Sequence, residues 1–416
     1  MNLWNETKSV PVSRQMVWEA YKKVRSNHGS AGIDQISMEE YDAQRSKHLY
    51  KLWNRMASGS YFAQPVKEAE ILKKDGKVRK LGIPTISDRV GQMVLKEHLE
   101  ARFEKIFSPN SYGYRPEKDA HQALEKVRQN CRKNDWVIDL DIKGFFDNIN
   151  HDKLMLAVKK HVPEKWCLLY IKRWLTAPEQ TKTGELVQKQ GKGTPQGGVI
   201  SPLLANLFLH YAMDKWLEQT HPRVEYVRYA DDAILHCQSK SHAEQVLEAV
   251  RERMQACGLE LHPLKTKLVY CRDYRRQEKH PEVKFEFLGY SFQPRSTMSK
   301  KTRKLFLGFD AAISISSKKR IADKMEELDI VNLNFKSIVG VAKFLEPYIR
   351  GWINYYGKFR LSAMNPTFQL LRKRLVRWAR KRYKRYKTNL NKAYDWLTRM
   401  RKQFPNLFYQ WRLGFW

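Results

Sequence analysis

The chain has 416 residues, is 42% apolar, and carries 77 Lys and Arg against 44 Asp and Glu, a formal net charge of +33. That length can bury several cores, so roughly two to four domains are expected. The apolar fraction is that of an ordinary globular protein, while the positive surplus exceeds what solubility needs and favours a long polyanion over a small metabolite as partner.

Residues 14 to 60 read as helices, with Val17, Tyr21 and Val24 at helical spacing, broken by the loop Asn27-His28-Gly29-Ser30-Ala31-Gly32. From 65 to 84 the period changes. Val66, Ile71, Val78, Leu81 and Ile83 fall in strand-like runs about the turn Lys74-Asp75-Gly76-Lys77, the pattern of a hairpin. A helix is expected from Ser87, with Asp88 in its first turn and Val90, Met93, Val94 and Leu95 as apolar positions. The turn-like segment from Ser108 to Pro116 leads into a helix over 117–130, and a short apolar strand comes next at Trp136-Val137-Ile138-Asp139-Leu140-Asp141-Ile142.

Helices are expected near 151–161 and 163–175. A Gly-rich loop, from Gly191 to Gly198, opens a long apolar helix from Ser201 to about Trp216. Beyond it lies a hairpin-like pattern: Val224, Tyr226 and Val227 run up to Tyr229-Ala230-Asp231-Asp232, and Ala233, Ile234 and Leu235 run away from it. A helix over 241–257 and a strand pair near 266–292 complete this part, and beyond 310 the pattern is helical. One apolar stripe there runs from Phe344 to Phe359, and a second, Leu371, Leu375, Trp378, Ala379, Tyr383, Tyr386 and Leu390, lies in a run with ten basic residues among the seventeen from Leu371 to Lys387. The fold class is α+β, helices behind an antiparallel sheet, because regular strand-helix alternation is missing.

The charge is uneven. Residues 291–416 hold 29 Lys and Arg against 7 Asp and Glu, so this third is expected to be the nucleic-acid grip and the more balanced remainder to hold the chemistry. Cys131, Cys167, Cys237, Cys257 and Cys271 are scattered singly, without zinc-site spacing. Reduced cytosolic thiols are expected. The N-terminus opens no uninterrupted apolar segment, so neither a signal peptide nor a membrane span is expected.

Asp231 and Asp232 in one turn, with Asp141 at the end of another apolar strand, need neutralising if those strands are buried. Divalent metal does this well. Three carboxylates from two neighbouring strands can hold two Mg²⁺ ions about 4 Å apart, an arrangement suited to in-line phosphoryl transfer. Asp139 shares a strand face with Asp141.

Seven ordered blocks then carry a resemblance. They are Arg79-Lys80-Leu81-Gly82-Ile83-Pro84-Thr85-Ile86-Ser87-Asp88-Arg89, Ser111-Tyr112-Gly113-Tyr114-Arg115-Pro116, Asp141-Ile142-Lys143-Gly144-Phe145-Phe146-Asp147-Asn148-Ile149 and the run from Gly193 to Leu203. Tyr229-Ala230-Asp231-Asp232, Leu261-His262-Pro263-Leu264-Lys265-Thr266-Lys267 and Phe287-Leu288-Gly289-Tyr290 complete the set. In this order they resemble the bacterial group II intron-encoded proteins, which are reverse transcriptases and maturases, in the form without an HNH-type endonuclease. The resemblance implies a right-hand polymerase: an N-terminal helical extension at 1–60, fingers at 61–135 with part of 150–200, a palm with antiparallel sheet at 136–292, and a basic helical thumb and maturase region at 293–416.

The implied activity is RNA-directed DNA synthesis joined to intron RNA binding, assistance to splicing and target-primed copying. Implied partners are group II intron RNA, an RNA template with a DNA or RNA primer, target DNA and deoxynucleotide triphosphates, in the bacterial cytoplasm, with no membrane and no obligate protein partner. Two Mg²⁺ ions, replaceable by Mn²⁺, would be held by Asp141, the Ile142 carbonyl, Asp231 and Asp232. Asp139 would pair with a basic neighbour, and Asp147 would cap or hydrogen-bond. Lys74, Arg79, Phe146, Gln196 and Lys265 would meet the nucleotide, Phe146 as the wall against a 2′-hydroxyl, with Lys73 competing for the role of Lys74. Phe287, Leu288, Gly289 and Tyr290 resemble the primer grip. Arg377, Arg380, Arg382 and Lys384 would grip RNA phosphates while Trp378, Tyr383 and Tyr386 bury the other helix face or stack on bases. Two other readings are a non-catalytic maturase, disfavoured by intact Asp141, Asp231, Asp232 and Gln196, and a domesticated enzyme of DNA repair or defence, disfavoured by Ala230.

Overall fold

The computed structural model describes residues 8–27, 29–72, 78–298 and 303–416. Its chain divides into two units, one of residues up to Asp119 with Ile138–Lys267 and the other of Ala120–Val137 with Leu268–Trp416. The eleven strands among the described residues are β1 (Val66–Leu72), β2 (Val78–Ile83), β3 (Trp136–Leu140), β4 (Glu179–Gln180), β5 (Leu186–Val187), β6 (Glu225–Tyr229), β7 (Asp232–Cys237), β8 (Lys267–Tyr270), β9 (Phe285–Phe287), β10 (Tyr290–Met298) and β11 (Leu305–Ile313). They form sheets in the orders β2-β1-β4-β5, β6-β7-β3-β8 and β11-β10-β9. Helices are interspersed with them along the chain, and the architecture is α+β.

In the first unit the N-terminal helices are Arg14–Ser26, Met38–Ala43 and Arg45–Ala57, and Val17, Tyr21 and Val24 are buried as their spacing predicts. β1 and β2 pair antiparallel, with Ile71 opposite Arg79. The next helix, Ile86–Glu104, begins one residue earlier than expected, because Thr85 caps it: the Asp88 amide donates to Thr85 Oγ1 at 3.1 Å. Asp88 is buried in that first turn. Its carboxylate accepts from Tyr61, Thr85 and Trp174 at 2.8, 2.8 and 3.0 Å, which offsets the desolvation that raises its pKa.

The helix expected from Ser201 to Trp216 is not uniform. It is α-helical over Ser201–Leu209, a π-segment over His210–Asp214 and α-helical again over Lys215–Thr220. Periodicity does not reveal this insertion, since the segment Ser201–Asp214 is buried nearly all round and its polar residues Asn206, His210 and Asp214 are buried with it.

In the second unit the hairpin β10–β11 runs from Tyr290 opposite Ile313 to Met298 opposite Leu305, so strand persists to Ile313 where helix was expected from 310. Helices Ile315–Glu327, Ile338–Tyr356, Asn365–Arg382 and Leu390–Gln403 come after it. Their shared core includes Val341, Leu345, Ile349, Phe368, Leu371, Leu375, Trp378, Trp396 and Trp411. The stripe from Leu371 to Leu390 is thus not one helix: the helix ends at Arg382, and Tyr386 is buried from the 3₁₀ turn Lys384–Tyr386. All five cysteines are free and buried. Among the described residues no helix is long and apolar enough to cross a membrane.

Candidate active site

β6 and β7 pair antiparallel with Tyr229 opposite Asp232, so the hairpin turn is Ala230-Asp231. A two-residue turn needs left-handed backbone, and Ala230 supplies it at φ 58°. β7 lies beside β3, and the chain leaving β3 carries Asp141 and Ile142. That backbone is pinned: His262 N donates to Asp141 O at 2.8 Å, Lys143 N donates to Glu260 O at 2.8 Å, and Ile142 bridges Leu261. Lys265 Nζ lies 3.0 Å from Asp141 Oδ2 with 57% of its side chain exposed, a pair too wet to matter much for stability. Its geometry matters more, since it holds a cation against one of the three carboxylates.

Packing of protein around Asp232 raises its carboxyl pKa to about 7, and the charges of Asp231 and Asp141 push the same way against Lys265. The residue keeps an exposed surface, so water relieves part of the packing effect and like-charge repulsion is the firmer cause. Repelling carboxylates of this kind are the donor set of hard divalent cations, and in that sense the residues fit Mg²⁺ or Mn²⁺. They are not drawn into one tight cluster. Among the described residues the group whose ligand atoms lie within 4.8 Å of one another is His98, Glu164 and Cys167. There Arg102 takes Glu164 in a fork at 2.7 and 2.6 Å and holds its pKa down to about 2, so a cation already occupies the carboxylate.

A second group forms around the short helix Phe145–Asn148. The Gly-rich loop is stitched to it by Thr194 N donating to Phe146 O at 2.8 Å and Gly193 N donating to Ile149 O at 2.8 Å. Gln196 Nε2 donates to Asp147 Oδ1 at 3.2 Å, so Asp147 acts through a hydrogen bond as anticipated. Gln92 Oε1 fixes the far end of the loop, accepting from Val199 N at 2.8 Å and Ile200 N at 3.4 Å. A side chain at Gly197 would run into Gly82 O of β2. Phe146 is 9% exposed and meets Phe145 edge-on at 5.4 Å, while Phe145 is 2% exposed and packs towards Phe208.

The structure therefore gathers Asp141, Asp231, Asp232 and Lys265 in one group and Phe146, Asp147 and Gln196 in another. Lys73, Lys74 and the rest of their turn lie outside the described residues, as does the Arg79 side chain. In the second unit Phe287 and Tyr290 are buried, at 3% and 0% exposed, and the turn between them has φ 49° at Leu288 and 79° at Gly289. What approaches Gly289 closely is protein: a Cβ there would lie 2.8 Å from Ser317 Oγ and 3.2 Å from the Tyr356 ring. Arg377, Arg382 and Lys384 are exposed, whereas Arg380 is half-buried and donates to Lys387 O at 2.9 Å. Tyr383 packs on Trp378, Tyr386 and Trp396, and Tyr386 packs on Trp396 as well. Sequence reasoning overlooked Arg228, Asp214, Asn206 and Gln92. The available signal was a charged residue in the middle of the apolar strand β6.

The family model for reverse transcriptase (RNA-dependent DNA polymerase) matches residues 71–292, more than half of the chain, and the chain belongs to that family. A model for the group II intron maturase-specific domain matches residues 318–396, which makes this a group II intron-like reverse transcriptase/maturase. Protein YkfC of Escherichia coli is 30% identical over 294 residues, 61% of this chain and 77% of that one. The group II intron-encoded protein LtrA of Lactococcus lactis is 35% identical over 205 residues, 48% of this chain but 33% of that longer one. The putative COX1/OXI3 intron 1 protein of Saccharomyces cerevisiae is 25% identical over 342 residues, 70% of this chain and 40% of that one. Among solved structures, a truncated apo telomerase from Candida tropicalis aligns with TM-score 0.44 at 15% identity over 60% of this chain and 55% of that chain, too distant a likeness to bear on function.

Proposed function

We propose that the chain is an RNA-directed DNA polymerase that binds a group II intron RNA, assists its splicing and copies it into DNA by target-primed synthesis. The observation that carries the reading is the hairpin presenting Asp231 and Asp232 beside the strand that leads into Asp141, with Lys265 on Asp141. Mg²⁺, or Mn²⁺ in its place, held by Asp141, the Ile142 carbonyl, Asp231 and Asp232, would supply charge neutralisation at the attacking and leaving oxygens. The chain's own residues do the rest. Phe146 walls off the sugar, so that a 2′-hydroxyl has neither room nor a partner. Gln196, held by Asp147, orients the incoming deoxynucleotide triphosphate. Lys265, Arg79 and Lys74, or Lys73 in its stead, bring positive charge to the triphosphate.

The second unit supplies the polyanion grip, with Arg377, Arg382 and Lys384 on RNA. Support for intron RNA as partner comes from the match to the maturase-specific domain. The test is Asp231→Asn. Primer extension on an RNA template with Mg²⁺ should fall by about 1,000-fold or more, while intron RNA binding and the unfolding midpoint stay near the parent. Extension within a fewfold of the parent would overturn the polymerase assignment.

A further inference from the structure

Arg228 stands in the middle of β6 with 0% of its surface exposed. A guanidinium is tolerated there only if it is paired and hydrogen-bonded throughout. Nε and Nη2 donate to the two Asp214 oxygens at 2.8 and 2.6 Å, and Nη1 donates to Asn206 Oδ1 at 2.9 Å. These contacts already neutralise the charge. The remaining bond goes elsewhere: Nη1 also donates to Ala230 O at 2.9 Å, the carbonyl of the left-handed turn residue immediately before Asp231.

The partners are fixed in their turn. Asp214 is also 0% exposed and closes the π-segment His210–Asp214. An inserted residue rotates the later part of a helix by about 100° about its axis, so the insertion decides where Asp214 points. Asn206 Nδ2 donates to Gly113 O at 2.7 Å, and a side chain at Gly113 would run into Ala230 N. The strand itself is braced by Arg228 N donating to Asn110 O at 2.9 Å and Tyr112 N donating to Arg228 O at 2.8 Å. Two pieces of the fold, the helix from Ser201 and the segment Asn110–Gly113, thus converge on one peptide group.

We infer that Arg228, with Asp214 and Asn206, is the positioning group of the candidate active site: it anchors the Ala230 carbonyl and so sets the direction in which Asp231 and Asp232 present their carboxylates. It touches no reacting atom. The kinetic part of its test rests on the polymerase reading; the structural part does not.

The double variant D214L/R228M removes both buried charges and fills their space with apolar side chains, an exchange that buried ion pairs tolerate. In the full chain it should unfold near the parental midpoint, yet the amide hydrogens of Ala230 to Ala233 should exchange faster while the rest of β6 and β7 stays protected. Primer extension should show kcat down by about 100-fold, the scale of a misplaced catalytic group, with KM for deoxynucleotide within about threefold. Arg228→Lys is the second variant, should the first not fold. It keeps a cation against Asp214 but has no planar fork to reach Asn206 and Ala230 together, and it should show the same exchange and the same kcat loss to a smaller degree. Parental exchange at the turn and parental kcat in either folded variant would overturn the inference. Faster exchange in these variants, found together with undiminished extension by Asp231→Asn, would leave the positioning role standing and remove the polymerase reading instead.

Discussion

At the scale of single residues, Phe146 has two roles open to it, a wall against the sugar and a filler of the core. Its ring is buried against Phe145, which a core residue would also be, so burial does not decide the matter and a substrate must. Phe146→Val keeps an apolar filler and should raise use of ribonucleotides over deoxynucleotides by about tenfold or more. Single-nucleotide incorporation kinetics with each substrate measure this, and an unchanged ratio would make the ring core packing only. Asp147 offers a companion prediction, because it accepts a hydrogen bond from Gln196. Asp147→Ala should raise KM for deoxynucleotide by about three- to tenfold with little change in kcat, the pattern of lost ground-state binding. The acidic turn was legible in the sequence because two charges between apolar runs are conspicuous. Arg228 was not: an arginine in a strand reads as a solvent-facing residue unless its buried partners, fourteen positions away at Asp214 and twenty-two away at Asn206, are already known.

At the scale of elements, the hairpins and most helices can be read from period and turn chemistry, and the structure departs where local pattern is silent. The π-segment at His210–Asp214 coincides with the buried pairing of Asp214 and Arg228, and the strand reaching Ile313 with the register against β10. Close packing between elements is equally invisible to periodicity. The Gly-rich loop is an instance, since Gly197 lies directly over Gly82 O of β2. Gly197→Ala should therefore push the loop off the strand at a cost of about 1–3 kcal/mol. Because the loop carries Gln196, primer extension should fall by about tenfold or more while circular dichroism stays parental. A Gly184→Ala variant, where a Cβ meets nothing within 4 Å, controls for glycine replacement as such. That position has φ 90°, so the control should lose some stability through backbone strain but retain extension.

At the scale of the whole molecule, the charge of +33 was the clearest statement about partners, and its uneven distribution pointed to the last third. The structure refines which of those charges can be offered to a polyanion. Arg380 lends its guanidinium to Lys387 O and braces the bend after Arg382, and Arg372 lies over Trp416 at 4.1 Å, so neutralising either would confuse a folding defect with a binding one. Arg377, Arg382 and Lys384 are exposed. Changing these three to Gln leaves the buried face of Leu371, Leu375, Trp378 and Ala379 untouched, and the unfolding midpoint should move little. Each lost phosphate contact should flatten the slope of log affinity against log salt by about 0.7 on single-stranded RNA and about 0.9 on a duplex. The triple variant should therefore lose about two to three units if all three side chains touch phosphate. Intron RNA binding measured at several salt concentrations reads the slope, and extension on a short generic primer-template should change less than intron binding, because the chemistry needs few of these contacts. A parental slope in a folded triple variant would mean that this face is merely solvated and that the RNA grip lies elsewhere, with the helix Arg45–Ala57 and its four basic residues Arg45, Lys47, Lys51 and Arg55 the next surface to neutralise.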